Sequence, residues 1–319
     1  MNYVMSIFII VLIVSLLLNP YLNLDKHPII RFTTIGLIIL LLIGALTFFY
    51  SDFKMGKKEY GWQVNYMEYK NLHKYSTGTS QKIAIIDSGI SNFQENNKNT
   101  TSISLMGDLK DNNGHGTMMY SIIKGYNKDV LGISPDSEIL SIKVMDIETK
   151  ITSDLIIQAI EKAIHLESTI INLSIGSHKF NKELSDIIDF SIQKGITVVS
   201  SSGDYAEADM MFPANKENVI SVGSISANKK VSDFTNAYED TTINAPGDEI
   251  KSVLSNKKIA VNSGTSQSTA IISGYIALLK DHAHQKNINL TNDEIKILLT
   301  NINKGQITYS EGITSIKKE

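Results

Sequence analysis

The sequence predicts an α/β fold in which a doubly wound, mainly parallel sheet carries helices on both faces, preceded by N-terminal transmembrane helices. Two observations support this. From about Lys82 onward, short β-branched runs alternate with stretches of helical periodicity, the pattern of parallel strands buried on both faces. Before that point the chain is strongly apolar through most of its first fifty residues. With 319 residues, 42% of them apolar, the chain can bury a sizeable core, which excludes a disordered protein.

Two apolar runs at the N-terminus predict a membrane anchor over residues 1–50. The run 29–50 contains a single charged residue, Arg31, and has the roughly 20 residues that a bilayer core requires. The run 4–18 is shorter; extended over 4–24 it forms a second span, and otherwise it is the core of a signal peptide. A signal peptide is less well supported, because no basic residue precedes the run and no small-x-small cleavage site follows it. Two buried helices of a soluble core are the remaining alternative.

The charges that flank these runs predict a location. Basic residues are more numerous after the second run than between the two runs, which slightly favours the cytoplasmic side for the rest of the chain. Lys54, Lys57 and Lys58 follow the second run, whereas Lys26 and Arg31 lie in or next to the connection between the two runs. We therefore expect a protein of the cell membrane, single-pass or multi-pass, with the lipid bilayer as one partner. If the first run is cleaved or only interfacial, the rest of the chain lies on the outer side.

The remainder divides into a juxtamembrane linker over residues 51–81 and one α/β domain over 82–319. The linker is rich in Lys and Tyr and shows no clear period, and we expect it to pack on the domain. Apolar residues at helical spacing predict helices over 153–166 and 184–194, the second ended by Gly195. Five apolar runs predict buried parallel strands: 83–87, 138–145, 169–176, 196–203 and 218–225.

Charge and cysteine content exclude several functions. The 30 basic and 33 acidic residues give a net charge of −3, without the basic excess that nucleic-acid binders use, so no nucleic-acid partner is expected. The absence of cysteine excludes a thiolate nucleophile, an iron–sulfur cluster and a Cys-rich zinc site. His282 and His284 are spaced i, i+2 and do not share a helix face, so they predict no metal site.

Three polar residues stand where an α/β fold places its chemistry. Asp87 closes the first apolar strand, His115 lies between two glycines ahead of a helical run, and Ser266 precedes the apolar run 269–280. A turn aspartate and an N-cap serine are ordinary explanations for two of these residues taken singly. Together, in the chain order Asp, His, Ser, they form the set that orients an imidazole and activates a serine. The chain order Ser, Asp, His and the G-x-S-x-G motif, both typical of α/β-hydrolases, are not found.

These motifs resemble those of the subtilisin-like serine proteases, the subtilase family, over about residues 82–280. Residues 83–89 (IAIIDSG), 113–117 (NGHGT) and 264–266 (GTS) are similar to the Asp, His and Ser blocks of that family. Lesser landmarks follow in the family's order at 132–135, 174–176, 212–214, 219–223 and 245–247. The resemblance, to a bacterial membrane-anchored type, implies a subtilisin-like fold and a membrane-anchored serine endopeptidase. Such an enzyme would mature or degrade peptides or proteins near the membrane, with leader-peptide removal as one use.

The resemblance also implies roles for individual residues. Ser266 attacks the scissile carbonyl, His115 transfers the proton to the leaving amine, and Asp87 orients the imidazole. Two segments bind the substrate, one as a backbone edge and one as the wall of the pocket for the residue before the scissile bond. The backbone edge contains Ser174, Ile175 and Gly176, and the pocket wall contains Ser202 and Gly203. The expected partner is a peptide or protein substrate. We expect no organic cofactor and no metal, and carry over no structural calcium, because the segment after His115 is shorter than in calcium-binding members.

Two departures from the family pattern bear on activity. Asp204 stands where the family has the asparagine of its oxyanion hole. An ionised carboxylate there repels the oxyanion, whereas a protonated one donates a hydrogen bond as an amide does. Residues 267–271 (QSTAI) also differ from the usual Met-Ala-Ser/Thr-Pro-His. These departures leave an alternative, a catalytically weak or silent subtilase fold that acts as a peptide-binding or regulatory module.

Overall fold

A seven-stranded parallel sheet lies at the centre of the computed structural model, which describes residues 60–147 and 151–317. Its strands are β1 (Lys82–Asp87), β2 (Thr100–Ser104), β3 (Glu138–Lys143), β4 (Ile170–Leu173), β5 (Thr197–Ser201), β6 (Ile220–Ile225) and β7 (Ile243–Pro246). They follow the order β2-β3-β1-β4-β5-β6-β7 across the sheet. The chain therefore builds the sheet to one side of β1 and then to the other, which places the end of β1 at the switch point where open α/β sheets bind ligands.

Helices cover both faces of this sheet. They are α1 (Trp62–Tyr66), α2 (Tyr69–Leu72), α3 (Asn92–Glu95), α4 (His115–Lys124), α5 (Ser153–His165), α6 (Lys182–Gln193), α7 (Thr265–Gln285), α8 (Asn292–Asn303) and α9 (Tyr309–Thr314). Ile83 and Ile85 of β1 belong to the core formed with α4 and α7, and Ala84 and Ile86 to the core formed with α5 and α6. Successive side chains of a strand point to opposite faces, so one strand serves two cores.

The predicted strands correspond to β1, β3, β4, β5 and β6, and the last four are shorter than predicted. In β3, β4 and β5 the chain leaves the ladder before the predicted carboxyl end, whereas β6 ends at Ile225 as predicted but begins only at Ile220. The predicted helices correspond to α5 and α6, which are capped by the side chains of Thr152 and Asn181. An antiparallel hairpin of β8 (Ile250–Val253) and β9 (Ile259–Asn262), which the sequence did not predict, leads into α7.

The compact unit that contains the sheet begins at Tyr60, ahead of the predicted domain start. The short helices α1 and α2 bury Met67 and Leu72 completely. After them, Asp281 of α7 accepts hydrogen bonds from the Ser76 hydroxyl (2.7 Å) and the Ser80 backbone N–H (3.0 Å). The segment from Tyr60 to β1 is thus joined to the long central helix.

The predicted transmembrane helices are not supported. Among residues 60–147 and 151–317, no helix is both long and apolar enough to cross a bilayer. The longest of them, α7, spans 21 residues but contains Lys280, Asp281 and two histidines, and it is a buried core helix. The runs 4–24 and 29–50 lie outside the described residues. The fold class is therefore corrected to a parallel α/β fold. The predicted cell-membrane location rested on the same two runs and is not supported either.

Candidate active site

Asp87 and His115 form a buried acid–imidazole pair at the carboxyl edge of the sheet. Asp87 is the last residue of β1 and is 1% exposed, and His115 is the first residue of α4. Nδ1 of His115 lies 2.9 Å from both carboxylate oxygens of Asp87. Because an ionised carboxylate can only accept, Nδ1 carries the proton at this contact and Nε2 is the ring nitrogen left to act as a base.

A second buried carboxylate, Asp111, fixes the start of α4. Its Oδ1 accepts from the backbone N–H of Gly114 (2.7 Å), and its Oδ2 accepts from the N–H (2.9 Å) and hydroxyl (2.5 Å) of Thr117. A Cβ at Gly116 would lie 2.0 Å from the carbonyl oxygen of Gly89, so only glycine lets α4 pack this close to the turn after β1. These contacts set the position of the histidine against Asp87.

The environment raises the pKa of His115 above the ordinary value of 6.5. Burial lowers the pKa, but the charge and hydrogen bond of Asp87 and the charges of Asp111 and Asp204 together outweigh it. Only the neutral imidazole accepts a proton, so we expect the acid limb of the kcat/KM profile to lie above pH 6.5. A pH profile measured with a neutral peptide tests this, and a limb at or below pH 6.5 contradicts it.

The raised pKa of His115 also stabilises the folded state below pH 6.5. This contribution to the free energy of unfolding is lost as the pH rises through the raised pKa.

Ser266 lies in the first turn of α7, directly after Gly264 and Thr265. Its hydroxyl donates to the carbonyl oxygen of Ser174 (3.5 Å), and the Ser174 hydroxyl donates to the carbonyl oxygen of Ser266 (3.3 Å). None of the hydrogen bonds of the described residues joins Ser266 to His115. The structure thus brings Asp87 and His115 together, and Ser266 together with Ser174. Catalytic hydrogen bonds are often long or misaligned without substrate, so this arrangement is compatible with a serine nucleophile.

A buried asparagine that the sequence did not single out lies behind this serine pair. Asn172 of β4 is fully buried; its Nδ2 donates to the Ser174 hydroxyl (3.1 Å), and its Oδ1 accepts from the Ser273 hydroxyl of α7 (2.9 Å). An unpaired amide in the core is costly, so these bonds fix β4 and α7 relative to one another beside Ser266. The only signal in the sequence is one polar residue in the middle of an apolar strand.

Asp204 lies beside the nucleophile, between β5 and α7. Its side chain is exposed, and its Oδ1 accepts from the backbone N–H (2.8 Å) and the hydroxyl (2.7 Å) of Thr265. The N-cap residue of α7, Gly264, has no side chain, so Asp204 satisfies an N–H of the first turn in its place. The predicted oxyanion residue therefore acts as an acceptor at the helix N-terminus in this structure.

The predicted substrate-binding residues lie on two neighbouring segments beyond β4 and β5. The first, residues 174–177, pairs with the segment before the domain's sixth strand: Ser177 and Phe212 exchange backbone hydrogen bonds of 2.9 and 2.8 Å. The second segment carries Ser202 and Gly203, and the carbonyl oxygen of Ser202 accepts from the N–H of Met211 (2.9 Å). Met211 and Phe212 thus bridge the two segments, the first of which contacts Ser266 through Ser174. We call the region between the two segments, beside Ser266, the candidate substrate cleft.

Asn236 holds the loop that carries Asp204, and it too was not singled out from the sequence. This fully buried side chain accepts from the N–H groups of Tyr205 (2.8 Å) and Glu207 (3.3 Å). It donates to the Glu207 carboxylate (3.2 Å) and to the carbonyl oxygen of Asp209 (3.1 Å). One amide thus makes four hydrogen bonds to a single loop. Asn236 therefore holds the loop that follows Asp204, and Thr265 holds the Asp204 carboxylate itself.

The two aspartates before the histidine motif are engaged in contacts within the protein. Asp111 binds the start of α4, as described, and Asp108 lies 2.9 Å from the ammonium group of the buried Lys143. The same ammonium group contacts Asp146 (2.9 Å). Within the described parts of the chain, no group of three or more His, Asp and Glu side chains is arranged to hold a metal ion. The expectation of a metal-free enzyme stays a prediction.

A carboxylate-bound histidine and a serine at a helix N-terminus, both at one edge of a parallel sheet and in the chain order Asp, His, Ser, indicate a serine hydrolase. Comparison with known proteins gives the family. Residues 78–312 match the model of the subtilase family, and the chain belongs to that family. The family predicted from the Asp, His and Ser motifs is confirmed, and with it the class of enzyme, a subtilisin-like serine endopeptidase.

Individual relatives show how much of the chain this similarity covers. The chain is 30% identical over 227 residues to the minor extracellular protease Epr of Bacillus subtilis, covering 69% of this chain and 35% of that protein. It is 29% identical over 245 residues to subtilisin BL of Lederbergia lenta, covering 75% of this chain and 90% of the relative. The solved structure of the prenylagaramide maturation protease PagA shares the fold, with a TM-score of 0.67 at 24% identity, covering 78% of this chain and 98% of that one.

Proposed function

We propose that this chain hydrolyses peptide bonds through a covalent acyl-enzyme, with Ser266 as nucleophile, His115 as general base and then general acid, and Asp87 as the group that orients His115. The observation that carries this proposal is the contact of His115 Nδ1 with both oxygens of a buried aspartate at 2.9 Å, on the edge of the sheet where α7 presents Ser266. An imidazole held in this way has one fixed tautomer and a free Nε2.

The reaction then follows from these positions. The Ser266 hydroxyl leaves its weak bond to Ser174 and attacks the scissile carbonyl carbon as Nε2 of His115 takes its proton. The tetrahedral intermediate collapses, the C–N bond breaks, and His115 returns the proton to the leaving amine. A water molecule then attacks the acyl carbon as Nε2 of His115 takes its proton, the bond from the acyl carbon to Ser266 breaks, and His115 returns the proton to the Ser266 oxygen. Throughout, the charge of Asp87 stabilises the imidazolium.

Asp204 would act on the developing oxyanion. The N–H groups in the first turn of α7 have no partners within the helix ladder and carry the positive end of its dipole, which favours negative charge beside Ser266. Asp204 Oδ1 accepts from Thr265, while Oδ2 carries no hydrogen bond to any described residue. We propose that Oδ2 donates to the oxyanion when the acid is protonated and opposes it when ionised.

Replacing Asp204 with asparagine should raise kcat at neutral and alkaline pH by about 10²- to 10³-fold, the value of one oxyanion donor. An amide oxygen can keep both bonds from Thr265, while the amide nitrogen supplies a donor at every pH. Removing the charge also lowers the pKa of His115, so the acid limb should move to lower pH. Steady-state kinetics across pH measure both effects. An unchanged or lower kcat at every pH contradicts the proposed role, and the nearby exposed Asp209→Asn serves as a charge-matched control.

A catalytically weak or silent peptide-binding module is the second candidate function. One observation favours it: the Ser266 hydroxyl is hydrogen-bonded to Ser174 and not to His115 among the described residues. Treating the full chain with a fluorophosphonate and with casein separates the two candidates. Labelling together with casein cleavage supports the endopeptidase, and a folded chain that does neither supports the module.

We further propose that the substrates are peptides or proteins that the enzyme either matures, for example by removing a leader segment, or degrades. The segment 174–177, which contacts Ser266 through Ser174, supports an extended chain as substrate, because backbone pairing along such an edge suits a peptide and not a small ester. Mass spectrometry of the products separates the two uses. Cleavage of casein at many bonds indicates degradation, whereas cleavage of few peptides at single bonds indicates maturation.

A further inference from the structure

Two glycines, Gly176 and Gly203, lie on the two segments that flank the candidate substrate cleft beside Ser266. Ser174 contacts Ser266 directly, and Gly176 lies two residues beyond it. On the other side, Gly203 precedes Asp204, which is bonded to the residue before the nucleophile. The residue whose carbonyl is attacked must therefore place its side chain between these two glycines. This inference rests on the proposed function.

Met211 occupies that space. Its N–H donates to the carbonyl oxygen of Ser202, and the next residue, Phe212, pairs in both directions with Ser177. The backbone of Met211 is therefore bonded to one wall of the cleft and, through its neighbour, to the other. Its side chain is half-buried.

The side chain of Met211 touches both glycine walls. A Cβ built on Gly176 would lie 2.8 Å from Cβ and 3.2 Å from Sδ of Met211, and a Cβ on Gly203 would lie 3.0 Å from its Cγ. These distances are shorter than ordinary contacts between side chains, so the methionine fits only because both walls lack a side chain. The space that two glycines leave open is thus taken by the methionine.

The wall at Gly203 is also fixed in place. Its φ of +117° is one that residues with a side chain rarely adopt, and a Cβ there would lie 2.8 Å from Nδ2 of Asn236. Asn236 in turn makes four hydrogen bonds to the loop that follows. The wall at Gly203 cannot retreat without breaking these bonds, so on this side the space left in the pocket is set by Met211.

We propose that Met211 closes the pocket for the residue on the acyl side of the cleaved bond, and that the substrates of this enzyme are peptides with glycine or alanine at that position. Leucine or phenylalanine would have to displace the methionine from its contacts with Gly176 and Gly203. Glycine and alanine need no displacement. Met211 is thus a specificity-determining residue.

The test compares peptides that differ only at that position, carrying Gly, Ala, Leu or Phe, with the full chain and its Met211→Gly variant. We expect the natural chain to cleave the Gly and Ala peptides with kcat/KM at least 10-fold above the Leu and Phe peptides. The variant should gain about 10- to 200-fold on Leu and Phe, the range for opening a hydrophobic pocket, with little change on Ala. Met210→Gly is the matched control, since the atoms nearest to a Cβ built on either glycine include those of Met211 and none of Met210.

A binding measurement separates failure of this proposal from failure of the proposed function. The same peptides, fluorescently labelled, are titrated by anisotropy into Ser266→Ala and into Ser266→Ala with Met211→Gly, neither of which needs to turn over. Tighter binding of Ala than Phe, reversed by Met211→Gly, supports the pocket even if no peptide is cleaved. A natural chain that prefers Leu or Phe, or a folded Met211→Gly variant with unchanged preference in both assays, overturns it.

Discussion

Replacing Ser266 with alanine is expected to abolish covalent labelling by a fluorophosphonate and to lower kcat for peptide cleavage by a factor on the order of 10⁶, the magnitude for loss of the nucleophile in subtilisin. The physical reason is that the hydroxyls of Thr117 and Thr265, at the starts of α4 and α7, donate to the carboxylates of Asp111 and Asp204 and so cannot take the place of Ser266. Ser174 lies close, but its hydroxyl donates to the Ser266 carbonyl oxygen and accepts from Asn172. Labelling is followed by gel fluorescence and turnover by release of a fluorogenic leaving group.

The matched control for this change is Ser226→Ala, which removes an exposed hydroxyl that bonds only within its own turn. It should label and turn over like the natural chain. Residual labelling of the Ser266→Ala variant at the natural rate would show that another residue is the nucleophile. Circular dichroism of both variants confirms that each is folded.

Asp87→Asn is expected to lower kcat by about 10⁴-fold, the cost of presenting the imidazole in the wrong tautomer without its charge partner. Both carboxylate oxygens of Asp87 lie within reach of Nδ1, so an amide places its NH₂ group against the Nδ1 proton or turns its single oxygen toward it without a charge. Loss of the Asp87 charge and hydrogen bond also lowers the pKa of His115. NMR titration of His115 in the natural and variant chains measures that pKa, and pre-steady-state kinetics measure the acylation rate.

Asp108→Asn is the control, because it removes one carboxylate near the site without touching His115. Asp108 is 68% exposed and pairs with Lys143, so its loss should change kcat by no more than a few-fold. An Asp87→Asn variant within 10-fold of the natural chain, with an unshifted histidine titration, would remove Asp87 from the mechanism.

Asp87, His115 and Ser266 could be singled out from the sequence because each lies where an element begins or ends. Parallel topology brings the carboxyl ends of strands and the starts of the following helices to one edge, so end positions far apart in the chain become neighbours. The strands were predicted because burial on both faces requires continuous apolar runs. The same runs overstate the lengths of β3, β4 and β5, because each predicted run continues past the residue at which the strand leaves the hydrogen-bonded ladder.

Other parts of the molecule could not be predicted, for identifiable reasons. Asn172 and Asn236 resemble any polar residue in a sequence, and their importance comes from being fully buried with every bond directed at the site. The helices α1 and α2 have five and four residues, too few to show a helical period. Their stability comes from packing against distant residues of α7 and α9, which no local pattern records.

The position of β1 between β3 and β4 has a consequence for when the enzyme becomes active. Its aspartate and the histidine of α4 come from the first half of the chain, whereas the serine comes from α7, which follows the seventh strand. During synthesis, β1, β2 and β3 can pair before Ser266 is made, so a nascent chain with these strands in place still lacks the proposed nucleophile. Closing the site is a late, long-range event, and appearance of fluorophosphonate reactivity during refolding would report completion of the whole sheet.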